Sequence, residues 1–512
     1  MSPAGVTAAG MPERVLWVGR GLADVGGVDP SHRAVLVDGD HIAWTGPDPA
    51  AAPAHDRVED LGEVWFAPGF VDAHVHATAT GLERVGVTLA GAGSVSEALA
   101  RVRAHVERTD PAVVHGTGWD DQAWPEQRPP TADELFEAAG GRPTVLFRVD
   151  GHSCVVDRGL LGSLDLRHVD QHVTRDVDGL PTGWLLEDAV AVAQTALVGL
   201  LGPEAIGRAR RETCRAALAL GITSLHEMGI PELSDIEDAL AWADGDWPLE
   251  VHAYWADMAW QPGGPLRPGG DLFLDGSIGS CTAAASAPYL TNDGVRTNGA
   301  LFHDDDAVTD FFVRATRAGL GAGVHAIGDD ATGQAVRALS RAAEACGVDA
   351  VRRARHRIEH LELVSREDVA TLGRLGVVAS VQPAFDATWN GPGGLYEHRF
   401  GRERADVTNP FSWLTAHGVD MCFSSDSTVT PMDPWGGIRA AERHHGGLGI
   451  DRRTALSAAT IGGHVAVGRD HLVGALLPGH RADLVAWPGD PVTDADPWDW
   501  SPTLVLAAGR AT

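Results

Sequence analysis

The 512-residue sequence predicts an α/β protein: a (β/α)8 barrel of the TIM type joined to a small β-sandwich built from both chain ends. Three observations predict it. Short alternating strands occupy both termini, apolar strands followed by alanine-rich helical segments fill the middle, and polar residues collect where those middle strands end.

The N-terminal stretch alternates short apolar runs with turns, in "VLWVGRG", "RAVLVDGDHIAWTG" and "GEVWFAPG". The tail, "GALLPGHRADLVAWPGD" and "TLVLAAGR", has the same texture. Neither group buries a face alone, so residues 1–68 and 465–512 are expected to pair into one sandwich. Residues 69–464 are expected to form the barrel. Strand candidates there are "GFVDAHVH", "PTVLFRVDGHS", "GITSLHEMG", "EVHAYWAD", "DLFLDGS", "GAGVHAIGDD", "RRARHRIEH", "VVASVQP" and "GVDMCFSSDS". That is one strand more than a barrel needs. The long interval after His76 points to an elaboration, roughly 90–215, near the barrel mouth. Its Trp119, Trp124 and Trp184 either line a pocket or fill a core.

Composition excludes several chemistries. The formal charge of −30 is spread along the chain and repels nucleic acid and anionic membrane. No apolar run of transmembrane length is evident, and the opening residues lack the pattern of a secretory signal, so the cytoplasm is the expected compartment. The five cysteines stand far apart with no CxxC, which suggests neither a disulfide framework nor a thiolate metal site. All 40 basic residues are arginine. A lysine Schiff base, a lysine general base and a lysine carbamate are therefore impossible in this chain.

"GFVDAHVHATATG" carries His74 and His76 two residues apart, on one face of a strand. Alone the pair is weak evidence. Other strand ends strengthen it: His325 closes "GAGVHAIGD", His360 closes "RHRIEH", and Asp426 closes "MCFSSDS". Four imidazoles and a carboxylate at the C-terminal ends of parallel strands converge above a barrel axis, and they are donors that zinc, iron or manganese accepts in a catalytic site.

"PGFVDAHVHATATG", "DLFLDGSIGSCTAA", "VHAIGDDAT", "HRIEH", "SVQP", "SSDSTVTPMDPWGGI" and "GALLPGHRADLVAWPGDP" together resemble the amidohydrolase superfamily. Within it they are similar to the YtcJ-like branch (amidohydrolase family 3), which includes N-substituted formamide deformylases. The resemblance implies a divalent metal, most readily zinc, held by His74, His76, His325 and Asp426. It implies that His360 binds a second metal or polarises the substrate carbonyl. Where many relatives place a carboxylated lysine bridging two metals, this chain has Asp271, opening "DLFLDGS". An aspartate is shorter than such a carbamate, so a single ion is expected. Asp275, four residues on, is a rival carboxylate or a turn cap.

The mechanism expected is attack by hydroxide from a metal-bound water on an amide-type carbon, with Asp426 as general base and then general acid. Trp119, His152, Glu187, His226, Ser277 and Gln382 are candidate substrate contacts, each with local hydrogen bonding as its plainer use. Arg148 and Arg399 are candidate holders of a substrate carboxylate, and Glu359 a candidate for orienting a neighbour. The expected function is hydrolysis of non-peptide carbon–nitrogen bonds in a small molecule. A deaminase or cyclic amidase is the alternative, and a non-catalytic binding or regulatory protein a further one. A homodimer is the commonest assembly for such a chain.

Overall fold

The computed structural model describes residues 13–149, 151–231 and 233–512. Residues 1–12, on which the signal-sequence and sandwich readings partly fell, lie outside the described residues. The chain divides into two compact units, one of Met1–His76, Cys214–Pro231 and Asp235–Thr512, the other of Ala77–Thr213 and Glu232–Ser234.

The first unit contains the barrel. Its strands are β1 Phe70–Val75, β2 Ile222–Gly229, β3 Glu250–Trp255, β4 Arg267–Pro268, β5 Gly323–Ala326, β6 Arg357–His360, β7 Val378–Val381 and β8 Asp420–Phe423. Parallel pairing runs β1-β2-β3-β4 and β5-β6-β7-β8. Parallel bridges Phe273↔His325 and Val75↔Ser427 join the two halves into a ring. The strands read as nearly continuous apolar runs because both faces are covered. Helices follow them for the expected reasons. After β5, Asp329–Cys346 buries Ala331, Ala335, Ala338, Leu339 and Ala342 at helical spacing. After β6, Arg366–Leu375 begins where the Ser365 side chain accepts from the Asp368 amide.

The chain ends supply the sandwich. Arg14–Val18, Ala34–Asp38, His41–Gly46 and Arg57–Asp60 form one sheet. Gly21–Leu22 and Trp65–Pro68 pair with the C-terminal Leu484–Trp487, Leu504–Ala507 and Arg510–Ala511 in the other. Trp17, Val35, Val37 and Ile42 meet Phe66, Leu484, Ala486 and Leu506 in one apolar core.

The second unit is built on a six-stranded sheet that contains Val114–Trp119, Thr144–Arg148, Ser153–Val156 and Pro181–Leu186. The surplus strand candidate, "PTVLFRVD", is therefore resolved: Thr144–Arg148 pairs with strands of this sheet and not with the barrel. Contrary to the sequence reading, one helix, Asp188–Ala219, is long and apolar enough by composition to cross a membrane. Non-helical angles at Gly202, ahead of Pro203, break it into segments of 14 (188–201) and 17 (203–219) residues. Each is short of the roughly 20 residues that a continuous span requires.

Candidate metal centre and catalytic site

The barrel strand ends bring His74, His76, His325, His360, Asp271 and Asp426 into one buried cluster, none more than 6% exposed. His74 and His76 come from the end of β1, His325 from β5 and His360 from β6. Asp426 follows β8 and Asp271 follows β4. Two overlapping sets, His74 with His76 and Asp426, and His74 with Asp271 and His360, have ligand atoms within 4.8 Å of one another.

Each imidazole has one ring nitrogen against a fixed acceptor. His74 Nδ1 is 2.9 Å from Glu359 Oε2 and His76 Nδ1 2.9 Å from the Met228 carbonyl. His360 Nδ1 is 2.9 Å from Gln382 Oε1, and His325 Nε2 is 3.3 Å from the Gly276 carbonyl. Such anchoring sets the tautomer and turns the other nitrogen inward. Glu359 is itself held by Arg357, which also donates to the Ala73 carbonyl at 2.6 Å and to Ser380 Oγ at 2.7 Å. Glu359 thus orients His74, as its strand position allowed.

Asp271 lies among the inward nitrogens. Its Oδ1 is 3.0 Å from His325 Nδ1 and 3.2 Å from His360 Nε2. Its Oδ2 is 3.6 Å from His76 Nε2 and 3.8 Å from His74 Nε2. Short as it is, the Asp271 side chain therefore lies within 4 Å of all four imidazoles. Gly269 and Gly270, at φ 75° and 79°, carry the backbone inward just before Asp271. A Cβ on Gly269 would stand 2.0 Å from the Gly323 carbonyl oxygen, so this close approach requires glycine.

Asp426 is fixed from both sides. Its amide donates to the His74 carbonyl at 2.8 Å, and the His76 amide donates to the Ser427 carbonyl at 2.9 Å. Asp72 accepts from the Ser425 amide at 2.9 Å and from Ser425 Oγ at 2.6 Å. Asp72 precedes His74 by two residues, and this alternation was the signal that sequence reasoning missed. Asp426 and His360 adopt φ 53° and 70°, the sparsely populated left-handed region. Such strain costs about 1–3 kcal/mol per residue and gathers at functional sites.

The electrostatics suit a cation. Burial opposes ionisation of Asp271 and Asp426, yet the neighbouring histidines outweigh it and hold both carboxyls well below their usual range. Burial likewise opposes protonation of His74, His76 and His325, but the adjacent carboxylates outweigh it and raise all three. The donor set passes a direct test as well. Among the described residues, His74 Nε2 and Asp426 Oδ1 are buried with no hydrogen-bond partner, although 3.4 Å apart. Donors on one ion with bonds of about 2.0–2.2 Å stand roughly 3.3 Å apart.

Gln382 anchors His360 and donates to Ser424 Oγ at 3.0 Å. His226 is fully buried, with Nδ1 2.9 Å from Arg357 Nη1. Ser277 Oγ lies 2.9 Å from Ser280 Oγ in an exposed turn. Asp275 accepts the Ala284, Ile327 and Gly328 amides, which makes it a loop clamp. Arg399 donates to the Leu290 and Gly279 carbonyls and to Asn292. In the second unit, Trp119 is buried with Trp124 and donates its indole N–H to the Leu146 carbonyl at 2.8 Å. Trp184 is partly buried against the same core. His152 Nδ1 lies 3.2 Å from Glu187 Oε2, both exposed, and Arg148 pairs with Asp120 and Asp121.

Comparison with known proteins relates the chain to hydrolases of the same fold. The chain is 28% identical over 484 residues to Protein LONG AFTER FAR-RED 3 of Arabidopsis thaliana, covering 87% of this chain and 80% of that one. It is 25% identical to an N-substituted formamide deformylase of Arthrobacter pascens, covering 90% of each. The crystal structure of an uncharacterized metal-dependent hydrolase from Pyrococcus furiosus shares the fold, with a TM-score of 0.76 at 24% identity over 94% of this chain and all of that one. The family model described as the amidohydrolase family matches residues 57–510, and the chain belongs to that family.

Proposed function

We propose that the protein is a metal-dependent hydrolase of carbon–nitrogen bonds in small non-peptide amides, with N-substituted formamides as the first substrate class. The observation that supports this most is the buried ring of anchored histidines turned towards Asp271, with Asp426 Oδ1 beside them and without a hydrogen-bond partner. The full-length similarity to a formamide deformylase supports the substrate class.

His74, His76, His325, His360, Asp271 and Asp426 are the residues that would hold the metal. Bound there, a divalent ion supplies Lewis acidity and makes hydroxide available near neutral pH. Nitrogen-rich donors with carboxylate oxygens favour zinc, with iron and manganese as the alternatives.

Asp426 has two distinct oxygens. Oδ1 lies 3.4 and 3.3 Å from the Nε2 atoms of His74 and His76, whereas Oδ2 lies 3.9 Å from His360 Nδ1. We assign Oδ2 to accept a proton from the attacking water and deliver it to the leaving nitrogen. The backbone clamp and Asp72 hold Asp426 in position for both transfers. Gln382 fixes the His360 ring. The five free cysteines support a reducing compartment, and we place the enzyme in the cytoplasm.

A panel of N-substituted formamides and amides, assayed for amine, carboxylate and ammonia, tests this reading. Equal amounts of amine and carboxylate are expected. Ammonia released from an amino-substituted heterocycle, with no amine from the amides, would shift the assignment to a deaminase, and no turnover by metal-loaded protein would refute it. Asp426→Asn is expected to retain metal and lose about 100-fold or more in turnover.

A further inference from the structure

We infer that His226 is a positioning residue for His74, acting from inside the barrel through Arg357 and Glu359. The inference rests on the reading of His74 as a metal ligand.

Sequence makes His226 a candidate substrate contact, but the fold gives it other neighbours. It lies within β2, fully buried, in register with His252 of β3. Its Nδ1 stands 2.9 Å from Arg357 Nη1. A guanidinium only donates, so Nδ1 accepts, and the hydrogen of the neutral ring sits on Nε2. Among the described residues Nε2 has no hydrogen-bond partner, which leaves the Arg357 contact as the polar anchor of the ring. A proton on Nδ1 would break that contact and set a second cation against the first. Burial and the Arg357 charge both hold the imidazole well below its usual pKa, which keeps the acceptor free.

Arg357 reaches from β6 to partners on β1, β2, β3 and β7, and so spans the barrel interior. Its Nε and Nη2 form a fork on the two Glu359 oxygens. Nη1 is the far corner of this planar group. Its acceptors are His226 at 2.9 Å and the Tyr254 hydroxyl at a longer 3.4 Å. His226 therefore sets the plane of the fork. Glu359 Oε2 in turn lies 2.9 Å from His74 Nδ1, so the orientation of that ring follows the fork. The His226 ring has its own seat. It crosses the His252 ring at 84° with centroids 5.3 Å apart, and His252 Nε2 lies 3.4 Å from Glu250 Oε1. Arg469 and Arg481 hold Glu250 at 2.8 and 2.7 Å. Strand β2 thus orients both histidines of the β1 pair, His76 through the Met228 carbonyl and His74 through the His226 side chain.

The test compares full-length wild type, His226→Phe and His226→Asn, each stripped of metal and loaded with Co(II). Phenylalanine fills the space without an acceptor, whereas asparagine presents Oδ1 close to the place of Nδ1. Chelator competition and the Co(II) ligand-field spectrum are read on folded protein, where a purely structural role moves neither. His226→Phe is expected to bind Co(II) about 5–10-fold more weakly, with shifted bands, because losses directly behind a ligand cost about 10–100-fold and this one acts a step further out. His226→Asn is expected to restore most of the affinity and the wild-type bands. Wild-type affinity and bands in His226→Phe overturn the assignment, and so does an asparagine variant no better than the phenylalanine one. If His226→Phe does not fold, nitrogen-15 histidine resonances of wild type decide, with His226 identified by the signal missing from His226→Asn. A hydrogen on Nε2 and a bare Nδ1 are expected from about pH 8 to about pH 5, where a free imidazole would protonate; a protonated Nδ1 in that range overturns the assignment. Wild type that binds no Co(II) refutes the metal reading and this assignment together, whereas wild-type binding with an unmoved phenylalanine variant overturns the assignment alone.

Discussion

Replacing Glu359 by alanine removes two things at once: the acceptor for His74 Nδ1 and the counter-charge of Arg357. Both Arg357 and Glu359 are fully buried, so the guanidinium left behind has no water to replace its partner. Breaking such a pair costs about 3–5 kcal/mol. The remaining partners of Arg357, the Ala73 carbonyl, Ser380 Oγ, His226 Nδ1 and the Tyr254 hydroxyl, are neutral and offset only part of this. Loss of the acceptor frees the His74 ring, and comparable losses behind metal ligands weaken metal affinity about 10–100-fold. Glu359→Gln separates the effects. It retains an oxygen for His74 but not the charge, so stability falls nearly as far while metal affinity falls less. Urea denaturation of metal-free protein measures the first quantity, and competition with a chromogenic chelator the second. Both variants within about 1 kcal/mol of wild type, with affinity unchanged in the alanine variant, would refute the proposed arrangement.

Asp72→Ala releases the Ser425 amide and hydroxyl that steady Asp426, and turnover should drop about 10-fold or more; an unchanged kcat would show that the clamp is unnecessary. Gly269→Ala places a Cβ 2.0 Å from the Gly323 oxygen at φ 75°, so a loss of about 1–3 kcal/mol together with reduced metal content is expected. Burial holds the His356 and His464 imidazoles down at about 3. Their folded pKa lies below the unfolded value, so the unfolded chain takes up protons first as pH falls. Their stabilisation is complete above about pH 6.5 and declines by about 1.4 kcal/mol per pH unit per histidine between there and pH 3. Denaturation midpoints at pH 7 and pH 5 should differ accordingly, with a shallower slope in His356→Asn; equal slopes would contradict this assignment.

Much of the centre is legible in sequence because its donors obey a placement rule. His74, His76, His325, His360 and Asp426 each follow an apolar run short enough to be a strand, and parallel strands send their ends to one side. The surplus strand was not separable, because "PTVLFRVD" has the texture of a barrel strand and only its pairing partners assign it to the second unit. The reach of Asp271 is hidden for a similar reason. Side-chain length is visible in sequence, whereas the inward path of Gly269 and Gly270 is a backbone property. Two of the four histidine anchors, the Met228 and Gly276 carbonyls, are main-chain groups that every residue carries, so no residue type announces them. Tryptophan is equally ambiguous: the indole of Trp119 meets the Leu146 carbonyl within an apolar core, a use that its sequence neighbours do not distinguish from pocket lining.

The most direct test of the central claim is chelation followed by metal restoration, read as amine release from an N-substituted formamide. Turnover is expected to disappear with the bound metal and to return, as a divalent ion is titrated back, in proportion to its occupancy of the histidine and aspartate cluster. Turnover that survives complete metal removal, or that returns equally when His74 and His76 are both replaced by alanine, would contradict it.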